Sequence, residues 1–158
     1  MIASDDADTN AIRELVRPLC RESFSCGPIP SALMMKLSVN LFLITMVSGL
    51  AEASHFARQQ GVDMNQLHAI LDAGPMASAV SKMKLPKLVE EEFSVQASIS
   101  DVLMNSKLIY DAARRAKVAS PLLDVSFSLF SETENLGLGR SDMAAVVRAL
   151  EQRTKTQA

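Results

Sequence analysis

The chain has 158 residues, enough for one domain at the usual about 100–200 residues each, and its 48% hydrophobic content against 22% charged can fill a packed core. Formal net charge is −2 with acids and bases interspersed, which excludes a dedicated nucleic-acid binder, since such a protein carries a basic patch or stripe. Cys20 and Cys26 stand six apart without CxxC spacing, so they read as reduced thiols in a reducing compartment rather than as a redox motif.

Asp5, Asp6 and Asp8 occupy the place of a secretory n-region, and the pattern predicts a soluble cytoplasmic protein. Ile12, Leu15, Val16 and Leu19 form an i, i+3, i+4, i+7 stripe, predicting a helix capped at Asp8 or Thr9. Pro28 and Pro30 then break the chain into a connector. From Leu33 to Gln60 the sequence predicts its longest helix, roughly seven turns at about 3.6 residues each. The first half of that helix is apolar nearly all round, which predicts a spine buried by neighbours on every side. The run Leu37–Ala51 is too short to span a bilayer, which needs about 20 residues, so no membrane contact is expected.

Gly61 supplies the stop, and Asp63 with Gln66 has the spacing of a capping box opening a short helix through Leu71. Gly74-Pro75 ends it, and residues 76–89 read as short helical pieces interrupted near Pro86. Ile99 to Ala113 predicts another long helix. Ser120-Pro121 opens the next, with Asp124 assisting the cap and Gly137 ending it. Ser141 is the expected cap of the last helix, followed by a frayed polar tail after Gln152. Strand signals are almost absent, and the fold class is all-α, several helices around one long central helix.

There is no dinucleotide or phosphate-loop fingerprint: Gly137-Leu138-Gly139 follows a helix, not a strand. His55 and His68 lack partners at metal-ligand spacing and read as ordinary residues, so no metal is expected. Lys82, Lys84 and Lys87, followed by Glu90, Glu91 and Glu92, read as a solvated face, and the methionines as adaptable packing. Lys36 and Asn40 stand apart. Four residues apart on an otherwise apolar helix, they share a face and need a wet cleft or specific partners. A lysine so placed can act as general acid or base when partial desolvation lowers its pKa. The alternative, which residue types alone favour, is that Lys36 snorkels and Asn40 satisfies a loop carbonyl.

The stretch GPIPSALMMKLSVNLFLITMVSGLAEASHFARQQGVD, from Gly27 onward, resembles the interdomain segment and long helix of the β-hydroxyacid dehydrogenases of the 3-hydroxyisobutyrate dehydrogenase type. The family pattern of a glycine-rich turn, K-x-x-x-N, a small-residue helix ending in E-A and a G-x-D turn is met in order by Lys36, Asn40, Glu52-Ala53 and Gly61-Val62-Asp63. DAGPMASAVSKMKLPKL, EEFSVQ, SPLLD and GLGRSDMAAVVRAL look like later segments of the same domain, so the likeness covers about residues 1–152.

The resemblance implies a 6-phosphogluconate dehydrogenase C-terminal-like fold. It places a short remnant of a Rossmann domain, the last strand–helix–strand, in residues 1–27, the helical substrate and dimerisation domain in 28–152, and a polar tail in 153–158. It also implies that the chain is a piece of a longer enzyme and is inactive alone. In the whole enzyme, NAD or NADP, bound mainly by the N-terminal domain, takes hydride from a small 3-hydroxy acid. Lys36 is then the general acid–base and Asn40 orients the substrate, in a homodimer or higher homo-oligomer. Two departures matter. Pro30 and Ala32 stand where family glycines contact the substrate carboxylate, and Ser100-Asp101 stands where many members carry a Lys-Asp pair, leaving only a weak cofactor contact at Ser100 and Asp101. The competing reading is a non-catalytic helical dimerisation module or a degenerate homologue.

Overall fold

The structure, a computed structural model, describes residues 1–4 and 9–157, and the side chains of Thr9 and Gln157 are not among the described ones. The expected caps at Asp8 and Thr9 therefore lie outside what it describes. Among the described residues seven α-helices form and no strand does, so the chain is all-α as expected. It divides into two compact units, Met1–Asn40 and Leu41–Ala158.

In the first unit, α1 (Thr9–Val16) runs into a 3-10 turn at Arg17–Leu19. On either side of α1, Ile2 and Ser25 form an isolated parallel bridge, with Ile2 N donating to Phe24 O at 2.8 Å and Cys26 N to Ile2 O at 2.8 Å. Among the described residues, the segment where a strand–helix–strand is expected shows one parallel bridge around a helix. Of the α1 stripe, Ile12 and Val16 are half-buried, while Leu15 and Leu19 stay exposed.

The longest helix, α2 (Ser31–Gln59), starts where Leu33 N and Met34 N reach Pro30 O. Its burial differs from the all-round expectation. Leu37, Ile44, Val47, Ala51 and Ala57 are buried, but Leu33, Met34, Met35, Val39, Phe42 and Phe56 are exposed. The composition told how apolar the helix is, not how many neighbours this chain supplies. At 29 residues α2 is also long and apolar enough to cross a membrane by length and composition, contrary to the estimate from the 37–51 run, although one side of it is covered by protein.

The second unit holds the rest. Asp63 caps α3 (Met64–Ala73) through Asn65 N and Gln66 N. The reciprocal capping box forms one helix later, where Ser78 and Ser81 exchange bonds at the start of α4 (Ala79–Glu90). α4 continues unbroken through Pro86, against expectation. Flanking Leu85 and Leu88 are 0% and 2% exposed. Burying both, at about 1.5–3 kcal/mol each, outweighs the ~3 kcal/mol that an interior proline costs.

α5 (Ile99–Arg115) packs along α6 (Pro121–Thr133), and α6 against α7 (Val147–Gln157). Ser120 makes no capping bond at α6, and its hydroxyl is buried without a partner, while Asp124 pairs with Arg114 instead. After α6 a π turn, Glu134–Leu138, ends the helix at Gly137, whose φ of 82° suits glycine. The buried 3-10 turn Met143–Val146 is the hub: α4, α5, α6 and α7 all pack on it. Asp142, not Ser141, caps this turn. Beyond Gln152 the tail stays helical, because Arg153 grips Glu132 and Ser128 and the Thr154 and Thr156 hydroxyls bond back to α7 carbonyls.

Candidate functional site

Lys36 and Asn40 both lie on α2 one turn apart, hence on one face. Lys36 is exposed and its side chain makes no hydrogen bond or ion pair among the described residues, so its ammonium stands in water. Asn40 is half-buried beside it. Neither lines any of four hollows: one in the first unit edged by Arg13, Arg17 and Arg21, and three in the second.

Ser100 and Asp101 sit in the first turn of α5, in the second unit, and both are already engaged. Ser98, the N-cap, accepts from Asp101 N at 3.1 Å and donates to Asp101 Oδ2 at 2.6 Å. Ser100 Oγ lies within hydrogen-bond reach of both Glu134 oxygens, at 2.9 and 3.1 Å, and of Gly139 O at 3.0 Å. A cofactor at this place would meet groups whose partners lie within the chain.

The strongest electrostatic feature is one the sequence reading placed in solvent. Lys84 is 4% exposed, and its Nζ donates to Asp142 Oδ1 and Oδ2 at 2.9 and 2.8 Å. Asp142 is fully buried and also accepts from the backbone N–H groups of Gln96, Ala97 and Ala144. Gln96 Oε1 takes a third Lys84 bond at 3.2 Å. Burial pushes the Asp142 carboxyl up, but the Lys84 bond and the three amides outweigh it and hold it below the usual carboxylate range. Lys84 is therefore corrected from a solvated lysine to a core one, whereas Lys82 is exposed and Lys87 reaches Ser94. Helical spacing carried the signal: Ser81, Lys84, Leu85 and Leu88 form one i, i+3, i+4, i+7 face, and all four are buried.

Around a hollow of about 400 Å³, His55 Nε2 meets Thr154 Oγ1 at 2.8 Å. Thr154 already donates to Leu150 O, so the ring nitrogen is the donor. Among the described residues no group of three His, Cys, Asp or Glu could hold a metal ion.

Residues 31–150 match the sequence model of a family described as "NAD-binding of NADP-dependent 3-hydroxyisobutyrate dehydrogenase". The chain belongs to this family. Among curated relatives, glyoxylate/succinic semialdehyde reductase 1 of Arabidopsis thaliana is 26% identical over 132 residues, 84% of this chain and 46% of that protein. The cytokine-like nuclear factor N-PAC of Aedes aegypti is also 26% identical, over 83% of this chain and 24% of that protein. 2-(Hydroxymethyl)glutarate dehydrogenase of Eubacterium barkeri is 22% identical over 98% of this chain and 52% of its own length. The chain thus spans about half or less of the curated relatives it matches.

The solved 3-hydroxyisobutyrate dehydrogenases of Mycobacterium tuberculosis, with L-serine, and Salmonella typhimurium superpose with TM-scores of 0.85 and 0.84 at 17% and 16% identity. They cover 95% and 92% of this chain, which covers 54% and 52% of theirs, and they show the shared fold. Within the 3-hydroxyisobutyrate dehydrogenase family, then, this chain carries the Lys36–Asn40 pair on its long helix and a serine at position 100 tied to Glu134.

Proposed function

We propose that this chain is the helical domain of an NAD(P)-dependent oxidoreductase that interconverts a small 3-hydroxy acid and its carbonyl counterpart. The observation that carries the reading is the solvent-facing Lys36 ammonium beside Asn40 on α2 of a chain in this family. In the oxidative direction Lys36 Nζ takes the substrate hydroxyl proton, and in the reductive direction it returns that proton to the carbonyl oxygen. Asn40, with a carboxamide that both donates and accepts, fixes the substrate's orientation. The nicotinamide, when bound, accepts or supplies the hydride. The cofactor is held mainly by a nucleotide-binding domain, with Ser100 and Asp101, both engaged within the chain, adding at most a weak contact.

The reading is tested in the protein that joins this domain to a nucleotide-binding domain. Absorbance of the reduced nicotinamide is followed with glyoxylate and succinic semialdehyde as oxidants and 3-hydroxyisobutyrate as reductant, each with NAD and NADP forms. Turnover of 3-hydroxyisobutyrate is expected, and a protein that binds the cofactor yet turns over only glyoxylate or succinic semialdehyde, or nothing, overturns the 3-hydroxy acid assignment.

The association role has its own support. Met35, Val39 and Phe42 fall at i, i+4 and i+7 on α2 and are 48%, 52% and 67% exposed, an apolar stripe of the kind that subunit contacts cover. Light scattering is expected to show a dimer or larger assembly, dissociating when Phe42→Glu puts a charge on the stripe. A wild-type chain that stays monomeric at high concentration removes this part of the proposal.

A further inference from the structure

A hollow of about 340 Å³ opens beside α5 and α6, walled by Leu103, Met104 and Phe127 and floored by Ser100, Ser131 and Glu134. That size falls within the range of small-molecule sites. Glu134 is half-buried at the first position of the π turn and forms no ion pair among the described residues. Its side chain meets one hydroxyl, Ser100 Oγ, whose single proton is shared between the two carboxylate oxygens and Gly139 O. A carboxylate offers about four acceptor positions, so most of the lone-pair capacity of Glu134 is unused.

The carboxylate is also held in place. A Cβ at Gly139 would stand 2.7 Å from Ser100 Oγ and 2.8 Å from each Glu134 oxygen, so only glycine admits this arrangement. Phe127 contributes an aromatic ring, itself stacked on Tyr110 with centroids 5.6 Å apart. Lys107, exposed at the rim, is paired with Asp111 at 3.1 Å and forms no ion pair with Glu134.

A fixed carboxylate with spare acceptor capacity, an aromatic face and aliphatic walls form the chemistry that recognises an organic cation. We infer that this hollow binds a small primary ammonium carrying an apolar tail, with the ammonium on Glu134 and the tail against Leu103, Met104 and Phe127. An anion is rejected there, because Glu134 faces it.

The test is titration of the chain with n-butylammonium, butyrate and butanol, followed by the backbone amide resonances of Ser100, Ser131 and Glu134. Saturable shifts are expected with butylammonium alone, and Glu134→Gln should weaken them at least tenfold. Leu103→Trp, which fills the hollow and keeps the carboxylate, should abolish them and serves if Glu134→Gln fails to fold. Equal shifts with butanol, shifts with butyrate, no shifts with any probe, or binding that survives either folded variant each overturn the inference.

Discussion

Asp142→Ala is expected to lower the stability of the helical unit by about 3–5 kcal/mol, the loss typical when one partner of a buried pair is removed. The change strands the Lys84 ammonium, which is 4% exposed, with only Gln96 Oε1. It also unbonds the amides of Gln96, Ala97 and Ala144 together, and removes the cap of the Met143–Val146 hub on which four helices pack. Domains of this size have roughly 5–15 kcal/mol in total, so the urea midpoint should fall by a large fraction. Lys84→Met should cost less, because Asp142 keeps its three amide donors and the methionine fills the same apolar space. Equal losses for the two variants would show that charge pairing, not capping, governs the site.

The same carboxylate sets an acid limit. It is held below its ordinary value of 3.8 in the fold, so its contribution is complete above that value and is lost as pH falls through the lower folded value. Asp142→Asn should therefore flatten the acid limb of stability against pH, measured by urea midpoints over descending pH. An acid limb unchanged in that variant would remove Asp142 from the account.

Periodicity made α3, α5 and α7 legible because burial of one stripe is a main source of helical order, while an apolar run marked α2 and a Ser-Pro start marked α6. It failed where a local rule competed with packing. Pro86 reads as a break, yet Leu85 and Leu88 hold α4 together across it. Ser120 and Ser141 have the chemistry of caps, but Asp124 is drawn to Arg114, and Asp142, one residue later than Ser141, has the charge that the three amides and Lys84 need. Lys82, Lys84 and Lys87 are neighbours in sequence, but the helix sorts them by angle, turning Lys84 inward and Lys82 outward. Lys36 and Asn40 were legible as polar interruptions of an apolar helix. The engagement of Ser100 with Glu134 was not, since it joins positions 34 residues apart across a π turn that no local pattern announces.

Lys36→Ala, in the protein that joins this domain to a nucleotide-binding domain, is expected to reduce turnover by about 10²–10⁴-fold, the range for losing a general acid–base. Its exposure makes the experiment clean: no described partner is orphaned, and folding should be untouched. The distinction to draw is between moving a proton and attracting a carboxylate, since an ammonium does both. Lys36→Arg separates them, because the guanidinium keeps the charge and cannot give up its proton near neutral pH. If Lys36 is the acid–base, arginine fails to rescue kcat. If it only attracts substrate, alanine raises KM with kcat nearly intact and arginine restores it. Asn40→Ala should act chiefly through orientation, lowering kcat/KM by less than the loss of Lys36 does. A Lys36→Ala enzyme with near-normal kcat would move the chemistry off α2 altogether, and the family membership of the chain would then describe its fold and not its active centre.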